Sequence, residues 1–242
     1  MKAVIFDLGH TLINYHNDWK GPEAKAVASV SALVWEASQN GVDERRVSSY
    51  LFSLLEKGRE RKLREMVEIP LEDVLRICFE NFSCAGDENL MRASLEAFYN
   101  VLLERREFVP GTKEMLRSLR DRGFRIGLVS DVAWGLPSYF PRKDMRHFGL
   151  EKCFDDLVFS TDVGLRKPNP RIFRMALSNV ESSPRESYFV GNSLQADIKG
   201  ALDVGMTAVL KESDYFTADD NIVPDARISN WDELRVLIEE RE

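Results

Sequence analysis

The first apolar run, Ala3-Val4-Ile5-Phe6, is short, unbroken and rich in β-branched and aromatic residues. It predicts a strand buried on both faces, as inside a parallel sheet. Gly9 breaks the pattern. From about Asn14 to Phe108 the apolar positions change period. Val27, Val30, Leu33 and Val34 recur at helical spacing, as do Leu51, Leu54 and Leu55. Leu71, Val74, Leu75 and Cys78 repeat the pattern, followed by Leu90, Leu95, Phe98, Val101 and Leu102. This stretch predicts about four amphipathic helices and no strand, with breaks near Asn40-Gly41, Pro70 and Gly86. After Pro110 strands and helices alternate. Strands are predicted at Arg125–Val129, Asp156–Phe159, Tyr188–Val190, Met206–Leu210 and Ala226–Ile228. Helices are predicted from Pro110-Gly111 to Leu119, closed by Gly123; over Asn169–Leu177; over Leu194–Val204, closed by Gly205; and from Trp231 to Arg241 behind an Asn230 cap. Such alternation predicts an α/β protein with a parallel, doubly wound sheet. The helical stretch is then an insertion over the strand ends.

Composition narrows the function classes. The 242 residues, 44% of them hydrophobic, can bury one large core or two modest ones. A net charge of −7 argues against nucleic acid or an anionic membrane as the main partner. Charge runs such as Glu104-Arg105-Arg106-Glu107 read as solvated helix faces. Cys78, Cys84 and Cys153 are odd in number and lack zinc-knuckle spacing, so free thiols in a reducing compartment are expected. No stretch approaches the length of a membrane span, and the apolar N-terminal run is too short for a signal peptide. A cytoplasmic protein, monomeric or homodimeric, is the expectation.

In open α/β sheets ligands bind outside the carboxyl ends of the strands. Polar residues stand at those predicted ends: Asp7 after the first strand, Ser130 and Asp131 after the second, and Gly191, Asn192 and Ser193 after the fourth. Lys167 lies in a loop after the third. They are far apart in sequence but converge in this fold. A carboxylate at Asp7 can hold a hard cation or attack an electrophile. Lys167 can neutralise a phosphate or that carboxylate. Ser130 can donate to phosphoryl oxygens, and Asn192 and Asp197 offer further oxygen ligands.

Four segments carry a resemblance. Phe6-Asp7-Leu8-Gly9-His10-Thr11-Leu12 resembles the first motif of the haloacid dehalogenase-like hydrolase superfamily, and Val129-Ser130-Asp131 stands where its second belongs. Gly164-Leu165-Arg166-Lys167-Pro168-Asn169-Pro170 is similar to the third. Phe189-Val190-Gly191-Asn192-Ser193-Leu194-Gln195-Ala196-Asp197 is similar to the fourth. Their order at successive strand ends makes the likeness specific. It implies a Rossmann-like core over residues 1–14 and 109–242 and a helical cap domain over 15–108. It further implies a phosphatase for a small phosphorylated metabolite, working through an aspartyl-phosphate on Asp7. Mg²⁺ would be held by Asp7, the Gly9 carbonyl, Asn192 and Asp197. Ser130 and Asp131 would bind the phosphoryl group, and Lys167 would hold Asp7 and the phosphate together.

Two positions depart from the family pattern. Gly9 stands where phosphatases carry a second aspartate, the general acid and base, and Asn192 stands where an aspartate is usual. The first loss predicts a slower enzyme, because such help is typically worth about 10²–10⁴-fold. His10 and His16 are weighed as replacement acids, and Asp18 as a weaker one. Packing or capping is the expected role of His10. Trp19 and Trp35 are weighed as pocket-lining residues, with core or cap packing the expected role. Two other functions compete: a metal-independent 2-haloacid dehalogenase, which also lacks the second aspartate, and a catalytically weak scaffold that binds a phosphorylated ligand or a protein.

Overall fold

The computed structural model describes residues 2–38, 42–215 and 221–241. The expected break at Asn40-Gly41 lies outside the described residues. In chain order the elements are β1 (Ala3–Phe6), β2 (Ile13–Asn14), α1 (Lys20–Ala37), α2 (Glu44–Glu65), α3 (Leu71–Asn81), α4 (Glu88–Leu103), β3 (Glu107–Phe108), α5 (Thr112–Asp121) and β4 (Arg125–Ser130). Then follow α6 (Tyr139–His147), β5 (Asp156–Phe159), α7 (Ser160–Val163), α8 (Pro170–Asn179), β6 (Ser187–Gly191), α9 (Lys199–Val204), β7 (Thr207–Lys211), β8 (Ala226–Ile228) and α10 (Trp231–Glu240).

Among the described residues, six strands form one parallel sheet in the order β5-β4-β1-β6-β7-β8. The unbroken apolar character of β1 follows from its central place. Val4 and Phe6 enter one core, while Ala3 and Ile5 enter the other. The first core joins the sheet to α5 and α10 through Leu116, Leu119, Leu234 and Ile238. The second joins it to α8 and α9 through Phe173, Ala176, Leu177 and Ala201. Helices on both faces make the sheet doubly wound, as the alternating pattern predicts. After β5 the chain crosses to the far side of β1, so strand order reverses between β1 and β6. That reversal opens the crevice at which α/β sheets bind ligands.

Helices α1 to α4 pack together through the predicted apolar stripes. Val27, Val30 and Val34 meet Val47 and Leu51, with Leu75, Cys78, Phe98 and Leu102 completing the same core. Asp43 caps α2 by accepting from Arg45 N, and Asp87 caps α4 by accepting from Asn89 N and Leu90 N. Asn230 caps α10, accepting from Glu233 N, while Glu233 Oε2 reaches back to accept from Ser229 N. No helix among the described residues is long and apolar enough to cross a membrane.

Several elements differ from expectation. The helical stretch is not free of strands: β2 and β3 pair antiparallel where the chain leaves and rejoins the sheet. Two residues are too few to show an alternation, so no periodicity could reveal them. The helix opened by Pro110-Gly111 starts at Thr112, with Gly111 in the left-handed region at φ 78°. The helix expected over Leu194–Val204 opens as a single π turn over Leu194–Ile198, where the Ser193 carbonyl accepts from both Asp197 N and Ile198 N. Helix α6 was not anticipated. It buries only Phe140, Asp144 and Met145, too few apolar positions for a stripe. Cys78, Cys84 and Cys153 are free thiols.

Candidate active site

The reversal point between β1 and β6 gathers the polar strand ends. Asp7 follows β1, with its backbone N–H donating to Val190 O of β6 at 2.9 Å. The chain then turns back sharply. Leu8 O accepts from Leu12 N at 2.9 Å, and His10 sits at φ 58°, a left-handed conformation uncommon outside glycine. The turn brings Thr11 Oγ1 within 3.0 Å of Asp7 Oδ2, to which it donates. Thr11 lies four residues past Asp7, and sequence reasoning gave it no role.

Lys167 is buried and reaches three oxygens at once. Its Nζ lies 2.5 Å from Asp7 Oδ1, 2.7 Å from Asp197 Oδ1 and 3.0 Å from Val129 O. Asp197 is itself 1% exposed, and its other oxygen accepts from Ser193 N at 2.9 Å. The π turn swings Asp197 toward the lysine. Gly191 leaves room for it, since a Cβ there would lie 2.4 Å from Asp197 Oδ2. Burial pushes the Asp7 carboxyl up to about 7 against the pull of Lys167, with Asp197 adding like-charge repulsion. Burial disfavours the ammonium of Lys167, but Asp197, Asp7 and Asp131 outweigh it and hold the group charged. One ammonium therefore serves two buried carboxylates and leaves the cluster short of positive charge.

Asn192 is buried nearby. Its Nδ2 donates to Tyr215 O at 3.0 Å and Ser213 Oγ at 3.3 Å. Asp7, Gly9, Asn192 and Asp197 line the same cavity and carry carboxylate, carbonyl and amide oxygens. That is a hard donor set, suited to a small divalent cation. Ser130, at the end of β4, lines the same cavity. Asp131 lines it too, but its side chain is taken: Oδ1 accepts from Lys167 N at 3.1 Å, and Oδ2 lies 3.5 Å from Arg166 Nη2.

The histidines fall apart. His10 is buried between rings, stacked on Tyr215 with centroids 4.4 Å apart and edge-on to Tyr15 and Trp19. Burial lowers its pKa to about 4. Its imidazole is neutral at pH 7, which suits packing better than proton donation. His16 Nε2 is 2.7 Å from Val101 O, and it lines a different cleft, together with the exposed Asp18. Trp19 lines the Asp7 cavity rather than serving packing alone, whereas Trp35 is 52% exposed and serves no core. The helical face of Trp35 is simply turned outward.

A second set of residues, unseen in sequence, ties the helical segment to the Lys167 loop. Glu68, between α2 and α3, is buried and pairs with Lys62 at 2.7 Å and Arg166 at 2.6 Å. Ser160 Oγ also donates to it. Burial opposes the charge of Glu68, but Arg166 and Lys62 win and hold its carboxyl below the usual range. Backbone bonds Glu68 N to Gly164 O (3.0 Å) and Arg166 N to Met66 O (3.1 Å) reinforce the seam. On the other flank, Asp144 of α6 accepts from Tyr15 (2.8 Å) and Tyr99 (2.6 Å) and pairs with Arg106 (2.5 Å). The cavity they flank measures about 560 Å³.

Residues 1–205 match the family model of haloacid dehalogenase-like hydrolases. A glyceraldehyde 3-phosphate phosphatase of Methanopyrus kandleri is 28% identical over 99% of this chain and 98% of its own length. A phosphoserine phosphatase of Thermus thermophilus is 30% identical over 73% of this chain and 63% of its own. Among solved structures, a HAD phosphatase from Thermococcus onnurineus superposes with a TM-score of 0.66 at 25% identity, covering 98% of both chains. A 2-haloacid dehalogenase from Pseudomonas syringae gives 0.66 at 24% identity over the whole of both, a likeness of fold.

Proposed function

The chain belongs to the haloacid dehalogenase-like hydrolase family, and from that premise we propose that it is a Mg²⁺-dependent phosphatase for a small phosphorylated metabolite. The observation that carries this reading is the buried cluster in which Lys167 bridges Asp7 and Asp197 at the sheet's reversal point. Phosphatase names on both sequence relatives described above support it.

In this reading Asp7 is the nucleophile. One of its oxygens forms a bond to phosphorus as the ester P–O bond breaks, and the departing oxygen takes a proton from solvent water to leave as the alcohol. Water then attacks phosphorus, the bond to Asp7 breaks, and inorganic phosphate leaves. Lys167 orients the Asp7 carboxylate and offsets charge on the phosphoryl oxygens. Ser130 donates to those oxygens, and Asp131 contributes through its backbone while its side chain positions Lys167. Asp7, the Gly9 carbonyl, Asn192 and Asp197 would hold Mg²⁺, which supplies the positive charge that the cluster lacks. Residues 1–14 and 109–242 form the catalytic core, and residues 15–108 a cap that shapes the substrate space and excludes water.

Hydrolysis of p-nitrophenyl phosphate is expected with Mg²⁺, to be lost on adding EDTA and to return with excess Mg²⁺. Equal rates with and without chelator would refute the metal's role, and metal-free halide release from a haloacid would favour dehalogenation instead. Gly191→Ala offers a finer test, because its new Cβ must displace Asp197. The Mg²⁺ concentration for half-maximal activity should rise about 10–100-fold, as found when residues supporting metal ligands are changed. A magnesium titration identical to the wild type would remove Asp197 from the metal site.

A further inference from the structure

Building on the phosphatase reading, we propose that the preferred substrates are phosphomonoesters whose alcohol portion is uncharged, predominantly apolar and bulkier than a three-carbon unit. The wall of the Asp7 cavity carries the argument. Trp19, Leu55, Leu102, Trp134, Leu136 and Phe140 line it, and the two tryptophans meet edge to face with centroids 5.4 Å apart. The volume of about 560 Å³ lies among sites that enclose drug-sized ligands, roughly 300–1,000 Å³.

Apart from Lys20, its cations are already paired. Arg59 spans both oxygens of Glu23 at 2.6 and 2.9 Å and also reaches Glu56 at 2.8 Å. Lys62 and Arg166 share Glu68. Lys167 is held by Asp7 and Asp197. Lys20, the other cation on this wall, is solvent-exposed. Two anions away from the Asp7 cluster are filled as well: Glu23 also accepts from Trp134 Nε1 at 2.7 Å, and Asp144 holds two tyrosines and Arg106. A leaving group bearing a carboxylate would have to break one of these pairs, lie unpaired among apolar side chains, or settle for the solvent-exposed Lys20. The first two courses are costly, and an exposed ion pair is worth little. A neutral apolar group meets no such demand and covers the aromatic wall.

The test compares benzyl and n-hexyl phosphate with ethyl phosphate, phosphoglycolate and phosphoserine. The first two release alcohols that are no better leaving groups than those of the charged esters, so chemistry does not favour them. Wild-type kcat/KM for benzyl phosphate should exceed that for phosphoglycolate by at least about 10²-fold, and n-hexyl should exceed ethyl phosphate by about tenfold or more. Glu23→Gln, which removes the charge matching Arg59 while keeping its shape, should narrow the benzyl-to-phosphoglycolate gap about tenfold. A preference for either carboxylated ester overturns the inference, as does a gap that Glu23→Gln leaves unchanged. Binding to the Asp7→Asn protein, measured by calorimetry with the same esters, separates the two readings. If no ester is hydrolysed, the phosphatase reading fails. The cavity inference then stands only if benzyl phosphate binds at least about tenfold tighter than phosphoglycolate, and equal or reversed affinities overturn it.

Discussion

Asp7→Asn is expected to lower kcat on any phosphate ester by more than about 10⁴-fold, the scale on which removal of a catalytic nucleophile is felt, without lowering the melting temperature at pH 7.5. Both halves follow from the same contacts. The amide that replaces the carboxylate is a poor nucleophile and leaves no route to an acyl phosphate. Its effect on the fold is the reverse of the usual penalty for breaking a buried pair. Lys167 faces two carboxylates, Asp7 and Asp197; removing one charge leaves a one-to-one pair. Burial already pushes the Asp7 carboxyl up to about 7, so ionising it at pH 7.5 costs the metal-free protein stability. Asn also preserves the acceptor for Thr11 Oγ1. Single-turnover assays with thermal melts check both effects. Activity within tenfold of the wild type would remove Asp7 as the nucleophile. Lost activity accompanied by a large drop in melting temperature would mean that the carboxylate is structural.

Gly9→Asp is expected to do the opposite and raise kcat on alkyl phosphates by about 10²-fold, the lower end of what a positioned acid–base group provides. The backbone at Gly9 lies outside the left-handed region, and a Cβ there meets nothing nearer than Tyr15 Cδ2 at 3.9 Å. Gly9 and Tyr15 both line the Asp7 cavity, so the new carboxyl has space on the substrate side. Among the described residues neither histidine fills that role: His10 is neutral at pH 7 and buried between rings, and His16 faces α4. A proton delivered to the leaving oxygen matters most when that oxygen is basic. The gain should therefore be large for ethyl phosphate and small for p-nitrophenyl phosphate. An equal gain on both esters, or none on ethyl phosphate, would show that the missing acid is not what limits this enzyme.

The sheet and the Asp7 cluster were legible because each rests on a local signal. β1 announces itself by four apolar residues in a row, buried on both faces. Asp7, Lys167, Asn192 and Asp197 stand at strand ends or in loops that the βα alternation already orders, so their convergence follows from topology. The seam beneath the helical segment had no such signal. Glu68 and Arg166 are 98 positions apart, and each looks like an ordinary surface charge in its own neighbourhood. Only tertiary packing buries them together. Trp134 was hidden for a similar reason, since its place in the cavity depends on a left-handed backbone at φ 52° that no hydrophobic period encodes. Asp144 was missed with its helix: a carboxylate on the buried face of α6 breaks the very stripe that would have revealed it.

The small ladder of β2 and β3 has a consequence for how this chain can be built and rebuilt. Ile13 pairs with Phe108 and Asn14 with Glu107, so the two ends of a long excursion stand side by side, about 5 Å apart between paired Cα atoms. The entropy of closing such a loop grows only with the logarithm of its length, each doubling costing about 0.6 kcal/mol. The sheet therefore barely registers how many residues lie between the two rungs. An excursion of a different length or fold could be grafted at the same pair of residues while the strands beneath keep their register. In the language of chain assembly, the ladder is a socket, and the helices plugged into it are replaceable cargo.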